Sequence, residues 1–400
     1  MTPETLTTLA PVLPPKPSRR PERPWFGAGP TAKRPGWTLE ALSSALVARG
    51  IRAPAVLART AQAVELTREV LGVPDDYRVG FVPGSDTGAV ESAMWSLLGP
   101  RKVQVTAYEN FGKTWAVDVL DHLKIDAEIL DAPYGGLPDL GRVDPEADLV
   151  LVWNGTTSGV RMPHGDFIRD ERKGLVICDA TSAAFAMVLP WEKFDVTTFS
   201  FQKALGGEAG IGVIVLSPRA VARLAEPAPD RPIPKLMRLR GKDGGLDPEP
   251  FKGSLANTWS LLTIEDWLDA LRWAQRVGGL DELVRRTNEN FSHLAAWVEK
   301  TPWIDFLASD PATRSTTSVC LKIVDPRVTG LPADAQTAFV KRLCALIERE
   351  GAAYDLDGHR AAPAGLRIWC GCTVDAADVD ALTPWLDWGW AAALGELVQS

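Results

Sequence analysis

Between residues 77 and 216 the chain repeats one pattern: a short apolar run, a turn of small residues, then a helix-length or crossover stretch. The runs fall at 77–83, 103–107, 127–130, 149–153, 174–179, 195–201 and 211–216. Helical spacing occupies 89–98 and 114–123 between the first three. Apolar strands of this length, separated by helices, bury both faces and are the signature of a mainly parallel sheet with helical layers. The last two runs are joined by a short small-residue connection and predict a late hairpin on that sheet. The expected fold class is therefore α/β, with a large mainly parallel sheet of the seven-stranded type.

The flanks have different patterns. Residues 1–24 are rich in Pro and Arg, and we expect them to be an extended or disordered lead. Ordered structure is expected from the Gly/Pro cluster at 25–30, with a helix start at Thr38 and an amphipathic helix over 55–71. Residues 226–250 carry Pro, Gly and charge and predict a long lid or interface excursion. Helices are expected at 264–278 and 280–300, followed by strands at 303–306, 318–323 and 366–369 and a helix at 333–350. That is an α/β unit of its own. The division expected is 1–24 as the lead, 25–277 as a large cofactor-binding domain and 278–400 as a small C-terminal domain.

Charge and cysteine usage narrow the functional classes. A net charge of −8 gives no electrostatic support for a nucleic-acid role. The five cysteines are scattered and odd in number, as in a reduced cytoplasmic protein. Cys370 and Cys372 have no second pair at zinc spacing, so no metal is expected. No apolar stretch is long enough to span a membrane, and no secretory leader is expected.

Four features place polar groups at strand ends, where ligands of open α/β sheets sit. Gly84-Ser85-Asp86-Thr87-Gly88 offers backbone N–H groups to an anion, or is an ordinary capping turn. Asn154-Gly155-Thr156-Thr157 offers amides and hydroxyls, or is a plain turn. Asp179 closes an apolar run and needs a cation, a hydrogen-bond network or a capping role. Lys203 ends another run. Burial there disfavours its charge and suits a nucleophilic amine, whereas a surface turn would leave it an ordinary lysine.

Taken together, Gly84-Ser85-Asp86-Thr87, Asn154-Gly155-Thr156, Asp179, Gln202-Lys203 and Asn257-Thr258 resemble the phosphoserine aminotransferase family of class V, fold-type I pyridoxal phosphate enzymes. Trp153 to Val160, Cys178 to Phe185 and Gly365 to Gly371 carry the same likeness, which runs from about Trp25 to the C-terminus. The resemblance implies pyridoxal 5'-phosphate as cofactor, held by Lys203. It implies that Asp179 partners the ring nitrogen, Thr156 the ring hydroxyl and Phe111 the ring face. Ser85, Asp86 and Gln202 fall at the phosphate, with Asn257 and Thr258 reaching it from a neighbouring subunit. A homodimer with shared active sites follows from that pair. Arg367 falls at the substrate carboxylate, and His359, Arg360 and Arg52 at the substrate phosphate.

The implied reaction is transfer of an amino group from L-glutamate to 3-phosphohydroxypyruvate, giving O-phospho-L-serine and 2-oxoglutarate in serine biosynthesis. The family usually carries Ser-His-Arg where this chain has Gly50-Ile51-Arg52. Loss of one charge-assisted hydrogen bond costs about 1.5–3 kcal/mol. Trp259 also replaces a usual Pro. A class V aminotransferase with a shifted keto-acid acceptor is therefore the first alternative, and a non-catalytic ligand-binding dimer the second.

Overall fold

The computed structural model describes residues 13–227 and 229–399. The first twelve residues of the Pro/Arg-rich lead lie outside the described residues. From residue 13 onward the lead is extended and lies against the C-terminal part of the chain. Lys16 pairs with Glu350, the Trp385 indole donates to the Arg19 carbonyl at 2.8 Å, and the Glu22 N–H donates to Asp378 at 2.7 Å.

A single 3₁₀ turn, Leu39–Leu42, forms at the helix start expected after Thr38. Helix α1 (Pro54–Leu71) has Pro in its first turn, where the missing N–H costs nothing, and ends at Gly72 with φ 64°. The alternating region then unfolds as β1 (Arg78–Pro83), α2 (Ser85–Leu97), β2 (Val103–Ala107), α3 (Asn110–Val117), β3 (Ala127–Asp131) and β4 (Asp148–Val152). A small hairpin follows, β5 (Asn154–Gly155) and β6 (Val160–Arg161), then β7 (Val176–Asp179), β8 (Val196–Ser200) and β9 (Ile211–Leu216). The seven long strands form one sheet in the order β1-β9-β8-β7-β4-β2-β3. Only β9 runs antiparallel to its neighbours. Strands β2, β4, β7, β8 and β9 are buried along their whole length, which is why they are apolar runs without alternation.

Two helices begin earlier than the spacing predicts. The small residues from Ser85 are the first turn of α2, not a loop before it. Helix α3 starts at Asn110, capped by the Glu109 side chain, and passes into a π-turn at Asp118–His122.

After β9 come α4 (Pro218–Ala225), the Pro/Gly excursion, α5 (Leu261–Val277) and α6 (Gly279–Val298). The remainder is β10 (Ile304–Phe306), β11 (Ser318–Ile323), α7 (Pro326–Thr329), α8 (Ala333–Arg349), β12 (Gly365–Trp369) and α9 (Ala376–Gln399). Strands β10, β11 and β12 make a separate antiparallel sheet. Aromatic packing locks α5 to the large sheet: Trp267 stacks on Phe201 at 4.2 Å and meets Phe185 edge-on.

Buried carboxylates pin the amino ends of the parallel strands. Asp148, at the start of β4, accepts from Arg223 of α4 at 3.0 Å and from the Leu175 N–H at 2.7 Å, with no exposed carboxylate surface. Asp195, just before β8, accepts from the Val176 N–H, the Ser217 hydroxyl and Arg172. These contacts leave the carboxyl ends of the strands open for a ligand. Removing one member strands its partner's charge in a dry interior. Asp148→Ala is expected to destabilise the fold by about 3–5 kcal/mol, seen as a lower urea midpoint with unchanged slope.

Candidate active site

Five strands deliver residues to one cavity at their carboxyl ends. From β1 the chain turns at Gly84, φ 88°, into the first turn of α2, where Ser85, Asp86 and Thr87 line the cavity. The helix geometry leaves the early N–H groups without intrahelical acceptors, a ready cradle for an anion. Gly88 allows this turn to close. A Cβ there would sit 2.0 Å from the Pro83 carbonyl oxygen.

The segment after β2 contributes Phe111 and Trp115, one helical turn apart on the same face of α3. Strand β4 leads to Asn154 and Thr156, β7 to Asp179, Thr181 and Ser182, and β8 to Ser200, Gln202 and Lys203. Two walls are tied by Glu109. Its carboxylate accepts from the Gly112 N–H at 2.9 Å and from the Thr157 hydroxyl at 2.7 Å, fixing α3 to the β5–β6 turn. Burial pushes the Glu109 carboxyl up to about 7, against the lowering effect of those hydrogen bonds.

Asp179 is oriented by two donors, the Trp115 indole at 3.1 Å and the Thr181 N–H at 3.0 Å. Asp86 lies close enough for the two carboxylates to interact. Burial first, and then the charge of Asp179, hold the Asp86 carboxyl well above its ordinary range. Lys203 is covered by the N-terminal segment: its Nζ donates to the Ala28 carbonyl at 2.6 Å, and its own carbonyl accepts from the Thr31 hydroxyl. A Cβ on Gly29 would meet Nζ at 2.2 Å, so glycine leaves the room the amine occupies. Burial and the positive charge of Arg367 push the amine down from 10.5 to about 8, opposed by Asp179 and Asp86.

Several enclosed atoms in this cavity have no partner within the chain: Asp86 Oδ1, Asn154 Oδ1, Thr181 Oγ1, Ser200 Oγ and Gln202 Oε1. A buried polar group without a partner costs roughly 1–3 kcal/mol, so this concentration marks where a polar ligand completes the bonding. The Gln202 amide donates to the Ser85 hydroxyl at 2.6 Å, joining the anion cradle to the lysine strand.

The structure thus brings Ser85, Asp86, Phe111, Thr156, Asp179, Gln202 and Lys203 together. His359 approaches the Phe111 ring at 6.2 Å, and Arg360 beside it is exposed. Burial and the charges of Arg367 and Arg360 push the His359 imidazole down. The Arg367 Nε is buried without a partner. Arg52, Asn257 and Thr258 are exposed and do not line this cavity.

The sequence alone left out Trp115, Thr181, Ser200, the Glu109 clamp and the Ala28 carbonyl. Spacing could have found two of them: Trp115 at four residues from Phe111, and Ser200 at the end of the strand leading to Lys203. The Ala28 carbonyl leaves no trace in residue type.

Comparison with known proteins follows this geometry. No family model matches the chain. Over 376 residues, 94% of this chain and 99% of the other, it is 49% identical to a phosphoserine aminotransferase of Methanosarcina mazei. The crystal structure of a phosphoserine aminotransferase from Cytophaga hutchinsonii superposes with a TM-score of 0.76 at 20% identity, covering 91% of this chain and 98% of that one. A pyridoxal-phosphate-bound phosphoserine aminotransferase from Trichomonas vaginalis gives 0.72 at 18% identity, over 91% and 99%.

A lysine with a lowered pKa costs folded-state stability wherever the unfolded chain still binds its proton. Below about 8 that cost is full, and it fades as pH rises from about 8 toward 10.5. Lys203→Met is therefore expected to raise the melting temperature of cofactor-free protein at pH 7. The gain should shrink across the alkaline window in scanning calorimetry.

Proposed function

The chain belongs to the phosphoserine aminotransferase family, and we propose on that premise how its own residues carry the reaction. The activity is pyridoxal phosphate-dependent transfer of an amino group from L-glutamate to 3-phosphohydroxypyruvate, which yields O-phospho-L-serine for serine biosynthesis. The observation that carries the assignment of roles is the convergence of the enclosed lysine, the oriented Asp179 and unpartnered polar atoms in one cavity.

The donor set fits the cofactor. Asp179, a buried carboxylate positioned by its two donors, would favour a protonated ring nitrogen. Thr156 serves the ring hydroxyl and Phe111 the ring face, while Ser85, the N–H groups of Asp86 and Thr87, and Gln202 serve the phosphate. When bound, the cofactor supplies an electron sink for negative charge at the substrate α-carbon.

Lys203 would hold the cofactor through Nζ, and its free amine would carry a proton to and from the substrate α-carbon. An amine with a pKa near 8 is poised for both directions at neutral pH. The Ala28 carbonyl parks it within the cavity. Arg367, whose guanidinium has an unused buried donor, takes the substrate carboxylate. His359 and Arg360 stand on the Phe111 side for the substrate phosphate.

The exposure of Arg52, Asn257 and Thr258 supports their service in a second copy's cavity, and so a homodimer with shared sites. We place the boundary between the cofactor-binding domain and the C-terminal domain at 277/278, where α5 ends at Gly278 with φ 125°. Five free cysteines support a cytoplasmic location. No helix among the described residues is long and apolar enough to cross a membrane.

General acid–base help is worth about 10²–10⁴-fold in rate. Lys203→Ala is expected to lose at least that much in kcat/KM for the glutamate-dependent reaction, together with the visible absorbance of bound cofactor. Full turnover in that variant would overturn the assignment. A panel of phosphorylated and non-phosphorylated keto acids tests the acceptor, since equal use of both would favour a shifted substrate.

A further inference from the structure

A second cleft lies on the outer side of β1, away from the Lys203 cavity. Pro83 walls it on one side, and the excursion after α4 walls it on the other. Five cations line it, Arg52, Lys235, Arg238, Arg240 and Lys242, against two carboxylates, Asp247 and Glu249. Arg240 is committed to the Leu224 and Glu226 carbonyls and holds the excursion in place. Glu249 sits 3.8 Å from Lys252, and Asp247 accepts from the Glu249 N–H. Among the described residues Arg52, Lys235 and Lys242 have no ion-pair partner, and Arg238 only donates to the Ile233 carbonyl at 3.1 Å. All four are exposed.

A chain of net charge −8 therefore carries one cleft whose cations are left unneutralised. Like-charged side chains held together repel, and an anion between them removes that cost. The overall negative charge disfavours a long polyanion and leaves a small one. Place decides which. Pro83, in the cleft wall, is two residues from Ser85 in the cavity. Ala256, also in the lining, directly precedes Asn257-Thr258.

We propose that Lys235, Arg238 and Lys242 join Arg52 in an anion subsite that takes the phosphate of the phosphorylated keto acid bound in the partner subunit's cavity. This rests on the homodimeric aminotransferase reading. It assigns to the excursion the substrate selection that Ile51, an apolar side chain packed against the core, does not provide.

The test uses full-length, cofactor-loaded protein and a Lys235→Ala/Arg238→Ala/Lys242→Ala variant, with exposed Lys300→Ala as the control. Calorimetric titration with inorganic phosphate is expected to show affinity weakened at least about tenfold in the triple variant. The ratio of KM for the phosphorylated keto acid to KM for glutamate should rise by a similar factor. Added salt should weaken phosphate binding in the wild type more than in the variant. Unchanged phosphate affinity overturns the proposal. So does weaker phosphate binding without a change in the KM ratio, which would make this an anion site apart from the substrate. Failure of the aminotransferase reading shows separately, as wild-type protein without turnover of the phosphorylated keto acid.

Discussion

The central constraint is the enclosure of an amine and two carboxylates at the carboxyl ends of β1, β7 and β8. Lys203, Asp179 and Asp86 each give up water, and among the described residues no direct ion pair repays them. The amine has one carbonyl, Asp179 has two N–H donors, and one oxygen of Asp86 has nothing. Such an arrangement is offset by strong bonding at the opposite ends of the strands. The Asp148–Arg223 and Asp195 networks close the opposite ends of the strands, and five strands are buried end to end. Stability is concentrated at one edge of the sheet and unmet bonding capacity at the other.

Much of this was legible in the sequence because it depends on local contrast. An Asp or Lys terminating a run such as Val176–Asp179 stands out against its apolar neighbours. The mainly parallel sheet follows from strands too short and too uniformly apolar to have a wet face. What failed to show did so for physical reasons. The first turn of α2 is made of small residues that also suit a loop, so its start was placed four residues late. Helix α9 carries apolar residues around much of its circumference and a Pro at 384, so it lacks the one-sided stripe that announces a helix. Thr181 and Ser200 have side chains too common at turns and strand ends to signal a site. The contact between Lys203 and Ala28 is made by a backbone carbonyl, which no residue type encodes.

Family membership and geometry answer different questions. The similarity to phosphoserine aminotransferases covers 94% of the chain and identifies the reaction. The geometry shows how the cavity walls are held: α3 and the β5–β6 turn are joined through Glu109, and the first turn of α2 and the lysine strand through Gln202. Arg52, Asn257 and Thr258 are exposed and lie outside the lining of that cavity.

The N-terminal segment has a consequence for the order in which the molecule is made. Its first anchors are at the far end of the chain: the Arg19 carbonyl accepts from Trp385, 366 residues later, and the Phe26 carbonyl accepts from the Trp369 N–H. The ribosome can release the whole seven-stranded sheet before either partner exists. Loop closure over such a distance is among the slower events of folding. The roof that lays the Ala28 carbonyl on the Lys203 amine is thus held from two sides: Thr31 bonds the lysine loop itself, and the strands and helices that hold Arg19 and Phe26 are the last to be made.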